Sequence, residues 1–263
     1  MSRPLAAGDQ VVLVDSKNRR YLVRLKAGGE FHTHAGLTFH DALIGRTEGS
    51  VVRSNTGARY TVLRPTLAEF VLSMPRGAQV IYPKDLGALV VQADIFPGAR
   101  VLEAGVGSGA LSIALLRAGG HVTGYEVRAD FARVARANVE RFLGDADMPY
   151  VIHQRDVYEG IDEVDLDRIV LDLPEPWRVV KHAEQALHPG GIFCSYLPTI
   201  GQVMALHEAL GASAFGLRHT VEVLERSWQV KGQSVRPDHR MVAHTGFLTT
   251  ARLLSVPDGD EPA

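Results

Sequence analysis

The chain has one cysteine in 263 residues, Cys194, so it can form neither an intrachain disulfide nor a cysteine-based zinc site. That cysteine lies in GGIFCSYLP, whose apolar neighbours read as a buried strand, and an inert core thiol is expected. Long apolar runs are also missing: none approaches the roughly 20 residues that span a bilayer. The opening MSRPLAAGDQ lacks the apolar stretch of a secretory signal, so a cytoplasmic protein is expected. There is no excess of positive charge either, with 28 Lys and Arg against 30 Asp and Glu and a net charge of -2. A nucleic-acid partner would therefore have to meet local patches, for which SKNRR and the series Arg128, Arg133, Arg136, Arg141 are candidates. His32, His34 and His40 fall close together, yet no carboxylate or cysteine pattern completes a metal site, and none is expected.

What is present is a chain 46% apolar, enough for one large domain and a small one. Up to about residue 64 short β-rich runs such as QVVLVD and RRYLVRL alternate with turn residues, Lys17-Asn18 and several glycines among them, and predict a small β domain over 1–68. From about residue 85 the rhythm changes. GARVLEAG, HVTGYEV, YVIHQRD, DRIVLDL and GIFCSYLP read as strands. Between them lie the helices GALSIALLRAG, RADFARVARANVERFL, with Phe131, Val134, Ala135 and Phe142 on its buried side, and RVVKHAEQAL, closed by HPGG. Strand and helix in alternation predict an α/β domain over 69–256, a parallel sheet covered by helices with ligands at the carboxyl ends of its strands. RHTVEVLERSWQV and GFLTTARLLS suggest a closing antiparallel pair joined by a long polar segment, and residues 257–263 a disordered tail.

VLEAGVGSGAL places Gly105, Gly107 and Gly109 between a strand and a helix, where a backbone free of side chains lets a ligand come close to the helix N-terminus. Glu126 ends the next strand, where a carboxylate can accept hydrogen bonds from both ribose hydroxyls of an adenosine ligand. The glycines run G-x-G-x-G after the acidic Glu103, not the G-x-G-x-x-G of dinucleotide sites. This compact form resembles motif I of class I, Rossmann-like S-adenosylmethionine-dependent methyltransferases, and assigns Glu103, Gly105, Gly107, Ser108, Gly109, Ala110 and Glu126 to that cofactor. In RDVYEG, Asp156 ends the third strand, where such enzymes place a side chain on the adenine amino group.

DLPEPW follows the fourth strand. Pro174 and Pro176 stop the strand and stiffen the turn, presenting Asp172 at a fixed position. Together with IYPKD, GYEVRADFARVARANV and the terminal RPDHRMVAHTGFL, this segment resembles the bacterial and archaeal tRNA (adenine-58-N1)-methyltransferases, over nearly the whole chain. The resemblance implies that Asp172 binds the N6 amino group of the target adenine and also contacts the cofactor, that Tyr82 lies near that base with a catalytic part, and that Phe131 contacts the cofactor. It implies a homotetramer acting on the T loop of tRNA. Two other readings stay open on the residues: a methyltransferase of the same fold with another substrate, and a non-catalytic RNA-binding subunit.

Overall fold

The computed structural model describes residues 3–77, 79–144 and 147–255, and the tail expected over 257–263 lies outside them. The chain forms two compact units, Met1–Met74 and Pro75–Ala263. The first holds β1 (Gln10–Asp15), β2 (Arg20–Arg24), β3 (Glu30–Thr33), β4 (Gly36–Phe39), β5 (Val51–Arg53), β6 (Arg59–Leu63) and α1 (Leu67–Ser73). Its main sheet is antiparallel in the order β2-β1-β6-β5. Val11, Leu13, Val23, Val52, Tyr60 and Val62 alternate onto one face and form its core. The unit ends six residues beyond the expected 68 because α1 belongs to it. A capping box between Thr66 and Glu69 starts the helix, and Glu69 also meets Arg20 at 3.4 Å.

The second unit runs α2 (Pro83–Gln92), β7 (Arg100–Ala104), α3 (Ala110–Arg117), β8 (His121–Tyr125), α4 (Ala129–Leu143), β9 (Tyr150–His153), β10 (Leu166–Leu171), α5 (Val180–Ala186), β11 (Leu187–Leu197), α6 (Ile200–Gly211), β12 (Phe215–Glu222), β13 (Trp228–Lys231), β14 (Ser234–Pro237) and β15 (Phe247–Leu253). Among the described residues its large sheet has the order β12-β15-β11-β10-β7-β8-β9, parallel from β11 to β9, with β15 antiparallel between β11 and β12. This is the expected α/β architecture. The chain moves outward from β7 to β9, then returns to lay β10 on the other side of β7. That reversal opens a crevice at the carboxyl ends of β7 and β10, the place where open α/β sheets bind ligands. Among the described residues no helix is long and apolar enough to cross a membrane.

Three expectations need correction. HPGG does not close a helix but lies within β11: pairing with β10 jumps from Leu166↔Leu187 to Arg168↔Ile192, so these residues bulge out, with Gly190 at φ 85°. On α4 the buried stripe is Ala135, Asn138 and Val139, while Phe131, Val134 and Phe142 are only half-buried. The expected antiparallel pair forms from β12 and β15, but SWQV leaves it to open a hairpin, β13–β14, paired in register from Trp228↔Pro237 to Lys231↔Ser234. Cys194 is fully buried in β11, and burial pushes its thiol up to about 12.

Candidate active site

Strand register brings the two sequence motifs together. Ala104, the last residue of β7, pairs with Leu171, the last of β10, so Gly105 and Asp172 leave the sheet side by side. The Asp172 amide donates to the Ala104 carbonyl at 2.7 Å, extending the pairing by one residue. Pro174 then ends the strand conformation, and Pro176 opens a 3-10 turn over Pro176–Val179. Trp177 of this turn packs onto the main core and is not part of the cleft wall.

Between these loops lies a cleft of about 540 Å³ whose walls include Gly105, Gly107, Glu126, Phe131, Asp156 and Asp172. That volume suits a cofactor-sized molecule. Ser108 and Ala110 line a narrow side pocket that shares Gly105, Gly107 and Asp172 with the cleft. Glu103, Gly109 and Tyr82 line neither. Tyr82 is the half-buried residue that precedes α2.

Each glycine has a different physical job. Gly107 takes φ 56°, and its amide donates to Glu126 Oε2 at 2.9 Å. Gly109 caps α3 at φ 84°; a Cβ there would sit 3.0 Å from Ala135 Cα and 3.1 Å from the Ala135 carbonyl oxygen, so this glycine lets α3 and α4 meet backbone to backbone. A Cβ on Gly105 would meet only ordinary contacts, 3.7 Å from Glu126 Oε2 and 3.9 Å from the Asp172 carbonyl oxygen, and would occupy the space between the two acidic residues.

The acids are held differently. Glu126 is buried, with Oε2 on the Gly107 amide and Oε1 on the Arg128 amide at 2.9 Å, so the carboxylate and the glycine loop fix each other. Asp156 Oδ1 accepts from the Tyr158 amide at 2.9 Å. Asp172 leaves accessible surface, but it opens onto the cleft floor, and the surrounding protein raises its carboxyl from 3.8 to about 6 through lost solvation. Glu103 is fully buried behind the loop and is pushed up to about 8, chiefly by burial. Its Oε2 accepts from Ser112 Oγ at 2.6 Å, and Ser112 accepts from Tyr150 at 2.9 Å. Among the described residues Glu103 Oε1 and Ser108 Oγ are buried without a partner.

The Phe131 ring lies under the Arg128 guanidinium at 3.7 Å, and together they form one wall. Sequence reasoning missed Asn138. From the buried stripe of α4 its Nδ2 donates to the Ser108 carbonyl at 2.9 Å and the Pro75 carbonyl at 2.8 Å, tying the glycine loop to the segment before α2. A polar residue beside two apolar ones on an amphipathic stripe was the available signal.

Residues 59–245 match the family described as tRNA methyltransferase complex GCD14 subunit, and residues 4–52 match TrmI-like N-terminal. The chain belongs to the tRNA (adenine-58-N1)-methyltransferase family. A relative from Thermus thermophilus, named tRNA (adenine(58)-N(1))-methyltransferase TrmI, is 41% identical over 92% of this chain and 96% of its own. Two solved structures superpose over most of their length. One is an S-adenosylmethionine-dependent O-methyltransferase from Thermotoga maritima, with TM-score 0.91 and 32% identity over 98% of this chain and 97% of that one. The other is the tRNA (m1A58) methyltransferase TrmI from Aquifex aeolicus, with TM-score 0.84 and 28% identity over 96% and 100%. The first matches the expected fold, the second the expected fold and family.

Proposed function

We propose that this protein transfers the methyl group of S-adenosylmethionine to N1 of adenine-58 in the T loop of tRNA. The observation that carries this reading is that the Asp172 backbone is fixed one residue from the glycine cradle, with its carboxylate in the same cleft as a second acid, Glu126. The cleft fits the cofactor on its own terms: a space at Gly105 that a Cβ would fill, two acids at separate positions, and two orphaned buried oxygens under the loop. Bound there, S-adenosylmethionine would supply an electrophilic methyl group. Glu126 is assigned to the ribose hydroxyls, Asp156 to the cofactor's adenine amino group, and Phe131 with Arg128 to the adenine face.

Adenine N1 already carries a lone pair, so no strong base is needed. The protein's task is to orient the base and to offset the positive charge that grows on its amidine. Asp172 does both by accepting from the N6 amino group, and Tyr82 is proposed as a stacking surface for the base. The position acted on lies in a folded loop, so the base has to be drawn out at a cost of a few kcal/mol, by analogy with other base flippers. A homotetramer in the cytoplasm, several copies sharing one tRNA, is the proposed working form, because one copy has a net charge of only -2.

Nucleoside mapping of unmodified tRNA after incubation with protein and methyl donor tests the reading. Appearance of 1-methyladenosine at position 58 is expected. Its absence, with methylation elsewhere or of another substrate class, overturns it. The cofactor assignment has its own test. Glu126→Ala removes charge-assisted bonds worth about 1.5–3 kcal/mol, so calorimetry should show S-adenosylmethionine bound about 10- to 100-fold more weakly. Unchanged affinity removes Glu126 from the site.

A further inference from the structure

We propose that the exposed end of the β5–β6 strand pair, at Arg53 and Arg59, is a phosphate-binding surface for the RNA substrate. The inference rests on the tRNA reading above and adds a contact surface to it. It starts from an uneven charge distribution. Residues 1–74 carry ten Lys and Arg against six Asp and Glu, a net +4, while residues 75–263 carry 18 against 24, a net -6. The near-neutral total conceals a basic unit joined to an acidic one.

The six acids of the basic unit are engaged elsewhere. Asp9 holds Arg3 and Arg64, Asp15 holds Arg19, Glu48 holds Arg64, Glu69 holds Arg20, Glu30 bonds His32, and Asp41 accepts from the Gly28 amide. Arg24, Arg53 and Arg59 are exposed, and among the described residues no acid pairs with them.

Strand register then places them. Arg53 of β5 lies directly opposite Arg59 of β6, and Arg24 of β2 lies opposite Gln10 of β1. Alternation from the pairs Val14↔Arg20, Val14↔Thr61 and Val51↔Thr61 puts Arg20, Arg24, Arg53 and Arg59 on one face, opposite the Val11, Leu13, Tyr60 core face. Like charges directly across a strand pair repel and are destabilising. Here they sit at the end of a hairpin whose turn is held firmly. Ser54 Oγ and Thr56 Oγ1 donate to the Ala35 carbonyl at 2.8 and 2.7 Å, and Asn55 Oδ1 accepts from the Leu37 amide at 2.9 Å.

Two arginines that leave a stiff strand pair from directly paired positions can both donate to one phosphate, and an anion there relieves their repulsion. Arg20 at the near end of β2 is held by Glu69 and Arg24 lies at the strand's far end, so Arg53 and Arg59 are the pair left to meet a phosphate.

The test is tRNA affinity as a function of salt, by fluorescence anisotropy, for the Arg53→Gln/Arg59→Gln variant. Loss of two phosphate contacts is expected to weaken binding about tenfold and to flatten the slope of log affinity against log salt by about 1.5. S-adenosylmethionine affinity and the rate at saturating tRNA should stay at wild-type values, which also shows that the variant folds. A Lys26→Gln/Arg46→Gln control removes equal charge elsewhere in the unit and should have a smaller effect. Wild-type affinity and slope in the Arg53/Arg59 variant, or an equal loss in the control, overturns the proposal. If the wild-type protein itself fails to methylate tRNA, the function reading has failed instead.

Discussion

Asp172→Asn is expected to lower methyl transfer about 10²- to 10³-fold with little change in S-adenosylmethionine affinity, the scale seen when one preorganised electrostatic partner of a transition state is removed. Asparagine keeps the shape and can still accept from an amino group, but it has no charge to set against the cation forming on adenine. Two further readouts separate this role from a structural one. The surrounding protein raises the wild-type carboxyl to about 6 where it opens onto the cleft, so transfer should rise with pH through about 6 and level off above it, and the asparagine variant should lose that limb. Stability should move the other way. An acid raised from 3.8 to about 6 binds its proton more tightly in the folded state. Its contribution to stability is therefore full below about pH 4 and declines as pH rises to about 6. At pH 8 the charged form is present and incompletely solvated in the cleft, an effect that solvent access tempers, so Asp172→Asn should melt slightly above wild type. A variant that retains activity, or one that loses activity and melts lower, would remove Asp172 from the chemistry.

What could be read in the sequence and what could not divide along a physical line. The glycine loop, Glu126, Asp156 and Asp172 were legible because each sits at the end of a strand that local periodicity and turn residues already mark, and in a parallel sheet those ends converge. The β13–β14 hairpin was not. SWQVK continues the alternation of a strand, with Trp228 at 57% and Val230 at 72% exposure, and no local signal shows that it leaves the large sheet to pair only with Ser234–Pro237. HPGG misled for a similar reason, since a bulge and a helix end call for the same residues. Asn138 and the exact burial of α4 depend on which helix packs against it, information carried by Gly109 and Ala135 far apart in sequence. Tyr82 was assigned through resemblance alone, and its neighbours Lys84 and Asp85, quoted in the same motif, prove to be the more firmly placed pair.

That pair makes the strongest stability prediction. Lys84 and Asp85 open α2 and are almost wholly buried, with the ammonium 2.8 Å from Asp85 Oδ1. All three of its donors are used, the others going to the Val223 carbonyl and Thr245 Oγ1 at 2.6 Å. The Thr245 hydroxyl donates to Asp85 Oδ2 at 2.6 Å, and Tyr196, raised to about 12 chiefly by burial and also by Asp85 and Asp172, donates to the same oxygen at 3.4 Å. A Cβ on Gly246 would lie 2.4 Å from Tyr196 Cζ, so the HTGFL motif supplies both a hydroxyl for this network and a bare backbone against the tyrosine ring. A buried ion pair adds little net stability, yet breaking it leaves one uncompensated charge in a dry site. Lys84→Met should therefore cost about 3–5 kcal/mol in denaturant or thermal unfolding. Replacing both partners, as Lys84→Met with Asp85→Leu, should restore part of the loss, with a coupling of at least about 1 kcal/mol. If Lys84→Met unfolds within about 0.5 kcal/mol of wild type, the scale of an ordinary surface change, the network does not hold α2 to the C-terminal strands.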